Sequence, residues 1–302
     1  VEKAADLFGL GTQAIRWIAT DAELRMDPAA LRARLEEDIA AGRRPFLIVG
    51  TAGTVSTGAV DPLPELATIA REYGLWFHVD GAYGAPAVAA SNVPEDLKGL
   101  READSLAIDA HKWLFVPLEA GCALVRDRAL LRATFSYRPP YYHYTVEDDA
   151  VIHYHEYGPQ NSRCFRALKV WAALSCAGRE GYVAMIEDNL RLAAAMADHL
   201  AAQPEIEVVT RGLSITTFRF VPAGLDPAPA ANAAYLNDLN EALLARIQRS
   251  GEAFISNAVV AGKFLLRACI TNFRTRLDDV RALADIAVRH GRALAAEMPP
   301  PA

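Results

Sequence analysis

The sequence lacks the features that mark membrane-spanning, disulfide-stabilised and nucleic-acid-binding proteins. It has no run of eighteen or more apolar residues, the length a membrane-spanning helix needs. Its four cysteines lie far apart without Cys-x-x-Cys spacing, so we expect no metal site, no disulfide framework and a reducing, cytoplasmic location. Lys plus Arg number 31 against 37 Asp plus Glu, and a net charge of −6 predicts no nucleic acid or anionic membrane as a partner.

Apolar residues are abundant and follow an alternating pattern of strands and helices. With 302 residues, 52% of them hydrophobic, the chain can bury a sizeable core. In the first half of the chain, the spacing of apolar residues predicts strands at 13–18, 45–49, 75–79, 105–108 and 121–125, and helices at 1–10, 27–42, 62–73 and 162–177. The second half predicts helices at 181–202, 232–250 and 277–297, and strands at 205–210, 215–221 and 265–270. Helices between parallel strands indicate an α/β fold, followed by a smaller α+β part.

Residues 77–113 carry the chemistry. One predicted strand delivers Asp80 at its carboxyl end, and the strand at 105–108 is followed by His111 and Lys112. Ligands of open α/β sheets bind at this edge, so a carboxylate, an imidazole and an amine should converge there. Pyridoxal phosphate (PLP) needs such groups, because a lysine amine holds its aldehyde as a Schiff base and an aspartate keeps its pyridine nitrogen protonated. The small residues Gly81 and Ala82 would let the ring lie close to the backbone.

Each of these residues also has an ordinary structural explanation. An aspartate at a strand end is usually a turn or helix-capping residue, a His-Lys pair is usually on the surface, and Gly-Ala-Tyr-Gly is usually a turn. The combination in this order is what favours the functional interpretation.

Two motifs carry a family resemblance. His-Val-Asp-Gly-Ala-Tyr-Gly, from His78, followed by Asp-Ala-His-Lys-Trp, from Asp109, resembles the group II PLP-dependent decarboxylases, which include aromatic-L-amino-acid, glutamate and diaminobutyrate decarboxylases. The resemblance covers the whole chain, but relatives are longer, and the chain resembles their C-terminal two-thirds. Since it begins with Val1 rather than Met, we expect Val1 to be an internal position.

The resemblance implies an architecture and partners. It predicts the fold type I of PLP-dependent transferases, with a large domain at 1–177 that lacks its N-terminal part and has a mostly parallel sheet, and a small α+β domain at 178–302. It also implies a homodimer. The protein's own N-terminal portion, as a separate chain or as part of a longer precursor, would supply the histidine that stacks on the PLP ring and a phosphate-binding loop.

The resemblance also implies roles for individual residues. Lys112 would carry PLP, Asp80 would face the pyridine nitrogen, and His111 would contact the phosphate and the catalytic loop. The cofactor-binding residues that we predict are Lys112, Asp80, Ala82, His111, Ser105, Asp109 and Thr54. Ser105 and Asp109 would face the phosphate or the lysine, although many animal relatives have asparagine at the position of Asp109. Thr54 belongs to a Gly/Thr loop at 50–58 that would line the cofactor's edge.

The segment 137–159 contains prolines and tyrosines and shows no periodicity. A long loop in a compact chain is usually functional or disordered. It could be a surface loop or a dimer contact, but the resemblance places Tyr141 as the catalytic loop's proton donor, with Tyr142 as the alternative. Arg267 could bind a substrate carboxylate, although we favour a structural ion pair for it.

The predicted activity is PLP-dependent decarboxylation of an L-amino acid, with an aromatic substrate favoured, to the amine and CO2. A small acidic or diamino acid is the alternative substrate. Other PLP reactions, namely transamination and oxidative decarboxylation to an aldehyde, also remain open. A non-catalytic interaction protein is disfavoured by the intact Asp80, His111 and Lys112.

Overall fold

The computed structural model describes residues 1–137, 139–141 and 151–300, which form two four-stranded sheets packed with helices. The α-helices are α1 (Glu2–Leu7), α2 (Pro28–Ala40), α3 (Leu63–Glu72), α4 (Arg128–Phe135), α5 (Arg166–Ala201), α6 (Ala230–Ser250) and α7 (Leu277–Glu297). The strands are β1 (Leu47–Thr51), β2 (Trp76–Asp80), β3 (Ser105–Asp109), β4 (Gly121–Val125), β5 (Ile206–Gly212), β6 (Ile215–Phe220), β7 (Ser256–Val260) and β8 (Lys263–Cys269). Short 3-10 helices lie at Thr12–Ala14, Ala85–Ala89, Glu95–Glu102 and Tyr154–Tyr157.

The first sheet has the order β1-β2-β3-β4. Strands β1, β2 and β3 are parallel, and β4 runs antiparallel to β3. Helix α3 connects β1 to β2, whereas β2 and β3 are joined through two 3-10 helices. The loops that follow β1, β2 and β3 therefore leave the sheet at one edge, which is where ligands bind in such folds.

A hydrophobic core holds this sheet against its helices. It includes Leu66 and Ile69 of α3, Phe77 and Val79 of β2, and Trp113, all of them almost completely buried. Helix α2 begins at Asp27, whose carboxylate accepts hydrogen bonds from the N–H groups of Ala29 and Ala30, as a helix-capping side chain does. Residues from the second half of the chain also join this core, namely Ile186 and Ile215.

The second sheet is antiparallel, with the order β5-β6-β8-β7. Its core is formed with α6, α7 and the second half of α5. Helix α7 lies close to the sheet because Gly291 has no side chain: a Cβ there would be 2.5 Å from the Phe220 ring. The prediction of a mostly parallel sheet followed by a smaller α+β part is confirmed.

Several predicted elements differ from the structure. The strand at 13–18 is wrong: Thr12–Ala14 is a 3-10 helix, and the extended residues after it pair with no strand of the described chain. A strand needs a neighbour to accept and donate its backbone hydrogen bonds, which an apolar run alone does not supply. The two helices predicted at 162–177 and 181–202 are one element, α5, interrupted at Gly178, where φ is 64°. Strand β7 and helix α4 were not predicted.

Within the described ranges, no helix is both long and apolar enough to cross a membrane.

Candidate active site

The ends of the parallel strands bring the predicted residues towards one place. Asp80 ends β2 and pairs in register with Thr51 at the end of β1. On its other side, Asp80 lies opposite Ala107 of β3, two residues before Asp109 ends that strand. The Asp109 N–H donates to the Ala82 carbonyl at 3.1 Å, which ties the loop after β2 to the end of β3.

A cleft of about 520 Å³ opens at this edge, a size typical of small-molecule sites. Its lining residues come from the loops after β1 and β2, from Lys112 and from β8 and its continuation. They are Thr51, Gly53, Thr54, Val55, Asp80, Ala82, Tyr83, Lys112, Arg267, Cys269 and Thr271. The structure thus brings together four predicted residues, namely Thr54, Asp80, Ala82 and Lys112.

Lys112 extends from the turn after β3. Its backbone N–H donates to the Asp109 carbonyl at 2.9 Å, and its Nζ lies 2.9 Å from Asp109 Oδ2. The side chain of Lys112 is 42% exposed, so its amine is open to the cleft while remaining paired with a carboxylate.

His111 is held by contacts with Ala120 and Asp109. Its Nδ1 accepts a hydrogen bond from the Ala120 N–H at 3.0 Å, and its Nε2 lies 3.8 Å from Asp109 Oδ2. His111 is not among the described residues that line the cleft.

Asp80 is half-buried, and backbone groups hold it on both sides. Its Oδ1 accepts the Ala82 N–H at 3.1 Å, and its carbonyl accepts the Ala52 N–H at 2.8 Å. A carboxylate fixed by the backbone in this way keeps its direction without a cation beside it.

Gly81 is small because neighbouring side chains pack against it, and not because the cofactor ring would lie there. A Cβ at this position would lie 2.5 Å from the Ala85 Cβ and 2.8 Å from Leu106 Cδ1. The missing side chain therefore makes room for protein packing, and it is Ala82 that faces the cleft.

Ser105, which we predicted to face the phosphate or the lysine, is not among the residues that line the cleft. It begins β3 opposite His78, about 13 Å from the strand's other end at ~3.3 Å per residue. Its Oγ accepts the Trp76 Nε1–H at 2.8 Å and lies 2.7 Å from His78 Nδ1. Burial lowers the pKa of His78, which favours the neutral form of the ring beside Ser105.

The hydroxyl of Thr54 is used within its own loop. Its Oγ1 lies 2.8 Å from Thr57 Oγ1 and accepts the Ala59 N–H at 3.2 Å. The loop is further held by Asp61, whose carboxylate accepts the Thr51 N–H at 2.7 Å and whose pKa burial raises. Thr54 thus lines the cleft as part of a rigid wall.

Arg267 lies in the cleft, contrary to our preference for a structural ion pair. Its Nε donates to the Val55 carbonyl at 2.5 Å and its Nη1 to Ser256 Oγ at 3.1 Å. Within the described chain these partners are neutral, so the guanidinium charge is not cancelled by a carboxylate. Cys269 lies beside it on β8, and burial raises the pKa of its thiol, which keeps the thiol protonated.

Sequence reasoning missed the buried network beneath Lys112. The ring of Trp113 is fully buried and stacks on Tyr83, with 5.0 Å between centroids, while its Nε1–H donates to Asn189 Oδ1 at 3.0 Å. The Tyr83 hydroxyl lies 2.6 Å from Ser214 Oγ and accepts the Ser214 N–H at 3.0 Å, and burial raises its pKa. Tyr83 and Trp113 both stand in the two motifs, but nothing in the sequence shows that they stack on each other.

Tyr141 is exposed and is not among the cleft-lining residues. Tyr142, the alternative donor, lies outside the described residues.

Comparison with known proteins identifies the family. Residues 1–221 match the family model described as the pyridoxal-dependent decarboxylase conserved domain. The chain is 36% identical to the aromatic-L-amino-acid decarboxylase of Bacillus atrophaeus over 93% of its own length and 58% of that protein's. It is also 36% identical to tyrosine decarboxylase 2 of Arabidopsis thaliana, over 89% of its own length and 49% of that protein's.

A solved structure of a known protein has a similar fold. The structure of Oryza sativa TDC with PLP and tryptamine superposes with a TM-score of 0.85 at 29% identity, covering 97% of this chain and 60% of that one. The chain spans about half to three fifths of the length of these relatives. The family match over most of the chain, the fold and the paired motifs agree, and the chain belongs to the pyridoxal-dependent decarboxylases.

Proposed function

We propose that the protein decarboxylates an aromatic L-amino acid to the amine and CO2, with PLP as its cofactor. The observation that carries this proposal is that Asp80 and Lys112, from the two family motifs, line one cleft at the carboxyl edge of the parallel sheet. A non-catalytic protein would have no need to keep both groups there.

The residues of the cleft fit PLP. Lys112 offers a primary amine for the aldehyde, Asp80 a carboxylate for the pyridine nitrogen, and Ala82 a small side chain against which a flat ring can lie. When bound, PLP draws electrons from the substrate's Cα and stabilises the negative charge that remains there when CO2 leaves.

The chain's own residues would supply the rest of the mechanism. The Asp80 carboxylate holds a proton on the pyridine nitrogen, which increases the ring's ability to accept electrons. The Lys112 amine would hold the cofactor in the cleft while no substrate is bound. The Arg267 guanidinium, whose partners in the described chain are neutral, can orient the amino acid's carboxylate, and Tyr141 would return a proton to Cα.

An aromatic substrate is favoured because the relatives include an aromatic-L-amino-acid decarboxylase and a tyrosine decarboxylase. A small acidic or diamino acid is the alternative. The cytoplasmic location stays a prediction, which the four unpaired cysteines support.

We propose that activity also requires the N-terminal portion that the relatives possess, and a homodimer. The first sheet ends at β4, where Gly121, Cys122, Ala123 and Leu124 are exposed along an open strand edge. Such an edge with apolar side chains pairs readily with another strand. Leu168, Trp171 and Leu174 are also exposed at a spacing of three on α5, which gives that helix an apolar outer face suited to a partner subunit.

Product analysis tests the function. The holoenzyme is incubated with aromatic, acidic and diamino acids, and CO2, amine, aldehyde and hydrogen peroxide are quantified, with Lys112→Ala as the inactive control. We expect CO2 and amine in equal amounts from an aromatic amino acid. Aldehyde with peroxide would instead make the protein an aldehyde synthase, and absence of CO2 from every substrate would overturn the proposal. The same assay on the 302-residue chain alone tests the need for the N-terminal portion, since activity there would contradict it.

A further inference from the structure

Two nitrogen atoms approach the same oxygen of Asp109. Lys112 Nζ lies 2.9 Å from Asp109 Oδ2, which is the distance of a charge-assisted hydrogen bond. His111 Nε2 lies 3.8 Å from the same oxygen. Asp109 thus faces both residues that precede Trp113 in the motif.

The backbone fixes which nitrogen of His111 carries a proton. Because Nδ1 accepts the Ala120 N–H at 3.0 Å, Nδ1 is unprotonated, and the proton of the neutral ring is on Nε2. That proton faces Asp109 Oδ2. Nε2 is therefore the donor that His111 presents to Asp109.

Asp109 itself is held by its main chain. Its N–H donates to Ala82 and its carbonyl accepts from Lys112, so the carboxylate keeps its position whichever donor it binds. At 28% exposure the carboxylate is partly shielded from water, which makes its attraction for a cation stronger than at an open surface.

We propose that Asp109 is a positioning residue that receives the Lys112 amine as an ammonium each time another amine takes the lysine's place on the cofactor. This inference rests on the proposed function and explains how the lysine is kept beside the cleft during turnover. In the exchange, the incoming ammonium would first give up a proton, and its nitrogen would then form a C=N bond with the cofactor's aldehyde carbon as the C=N bond to Lys112 breaks. The three protons lost by the incoming nitrogen are those that Lys112 gains, so the Lys112 group leaves as an ammonium and the charge balances.

The Asp109 carboxylate makes this exchange more favourable because the departing ammonium finds a charged acceptor at 2.9 Å. When Lys112 is on the cofactor, the acceptor loses this partner, and the Nε2–H of His111 is the nearest remaining donor. Asp109 therefore alternates between two donors, the Lys112 ammonium and the Nε2–H of His111.

The test measures amine exchange rather than turnover. The holoenzyme is titrated with methylamine, which carries no substrate side chain, and is then reduced with borohydride; peptide mapping gives the fraction of Lys112 that still carries the cofactor. Asp109→Asn keeps the shape of the side chain and removes its charge. Glu119→Gln is the matched control, because Glu119 is a nearby carboxylate that pairs with Arg166 and not with Lys112.

We expect Asp109→Asn to raise the methylamine concentration that displaces half of Lys112 by about threefold or more, within the range of a partly exposed ion pair. Glu119→Gln should leave it at the wild-type value. An unchanged midpoint in Asp109→Asn, or an equal rise in Glu119→Gln, would overturn the inference, as would an Asp109→Asn protein that no longer holds the cofactor. If the wild-type protein shows no labelled Lys112 before methylamine is added, the proposed function fails instead.

Discussion

Asp80 reaches the cleft because β2 ends there, and two backbone groups hold its carboxylate and carbonyl in place. An uncharged amide in the same position would keep the shape of the site but would no longer stabilise a proton on the pyridine nitrogen. Preorganised charges of this kind contribute much of the stabilisation of a transition state.

We therefore expect Asp80→Asn to retain bound cofactor and to lower kcat by about 100-fold or more, the usual effect of removing one preorganised group. Cofactor content and kcat are measured on the same preparation. Asp127→Asn is the control, since Asp127 caps α4 and lies outside the cleft lining. A kcat near the wild-type value in Asp80→Asn would remove this residue from the mechanism.

His78 gives the fold a sensitivity to acid. Burial lowers its pKa, and the Asp80 charge and the contact with Ser105 offset this only in part. Above the unfolded-state pKa of about 6.5 the ring is neutral in both states and its full contribution to stability is present. As the pH falls from there through the lower folded-state pKa, the unfolded chain takes up the proton more readily, and that contribution is lost.

His78→Gln should therefore lose less unfolding free energy than the wild type between pH 7.5 and pH 5. Urea unfolding at a series of pH values measures the difference. Parallel pH dependences for the two proteins would show that His78 has no part in the acid sensitivity.

Among the site residues, the sequence identified those that lie close to a strand end within a motif, namely Asp80, Ala82 and Lys112. It correctly predicted that a strand begins at Ser105, but that start lies at the opposite end of β3 from Asp109 and Lys112, outside the cleft lining. It also could not find the contact between Tyr83 and Ser214, which are 131 positions apart. Arg267 reaches the cleft because the two sheets pack together, and the sequence around Arg267 does not show this packing.

The segment that carries Tyr141 is anchored at both ends by one buried carboxylate. Glu156, in the 3-10 helix Tyr154–Tyr157, is 2% exposed and accepts from Ser136 Oγ at 3.2 Å. Its Oε2 lies 3.2 Å from Arg132 Nε of α4. These contacts hold together the elements before and after the segment.

We expect Tyr141→Phe to form less amine and to produce aldehyde and hydrogen peroxide, because a carbanion that receives no proton reacts with oxygen. Tyr142→Phe is the matched variant. Amine formation at the wild-type rate and without peroxide in Tyr141→Phe would exclude it as the donor, and the same defect in Tyr142→Phe alone would transfer the role to Tyr142.

At the level of elements, the helices and strands with a clear period and a capping or breaking residue were predicted well. Helix α2 follows the Asp27-Pro28 start, and α7 coincides with its predicted range. The failure at 13–18 came from a property that is not local, since a strand exists only where another strand lies beside it.

The two hydrophobic cores are connected by buried hydrogen bonds at the base of the cleft. Tyr83 from the first half binds Ser214, immediately before β6, and Trp113 binds Asn189 of α5. We propose that the boundary between the domains 1–177 and 178–302 lies at Gly178, where α5 is interrupted. The cofactor cleft, which takes Arg267 and Cys269 from β8, would then be assembled from both domains.

Tyr83→Phe should destabilise the chain by about 1–3 kcal/mol, because it leaves the buried Ser214 N–H without its acceptor. Urea unfolding of the chain measures the effect. Tyr73→Phe is the control, since the Tyr73 hydroxyl makes its contacts with Glu36, at 3.4 Å, and with Arg32 at the exposed surface. Equal stabilities for Tyr83→Phe and the wild type would show that this contact does not join the two halves.

The covalent attachment of the cofactor tests the proposal as a whole. The holoenzyme is reduced with borohydride and digested, and the peptides that carry PLP are identified by mass spectrometry, with Lys169→Ala as a control lysine outside the cleft lining. We expect the adduct on Lys112 in the wild type and in Lys169→Ala, and its complete loss in Lys112→Ala. An adduct on another lysine, or one that persists in Lys112→Ala, would contradict the assignment of this cleft as the site of catalysis.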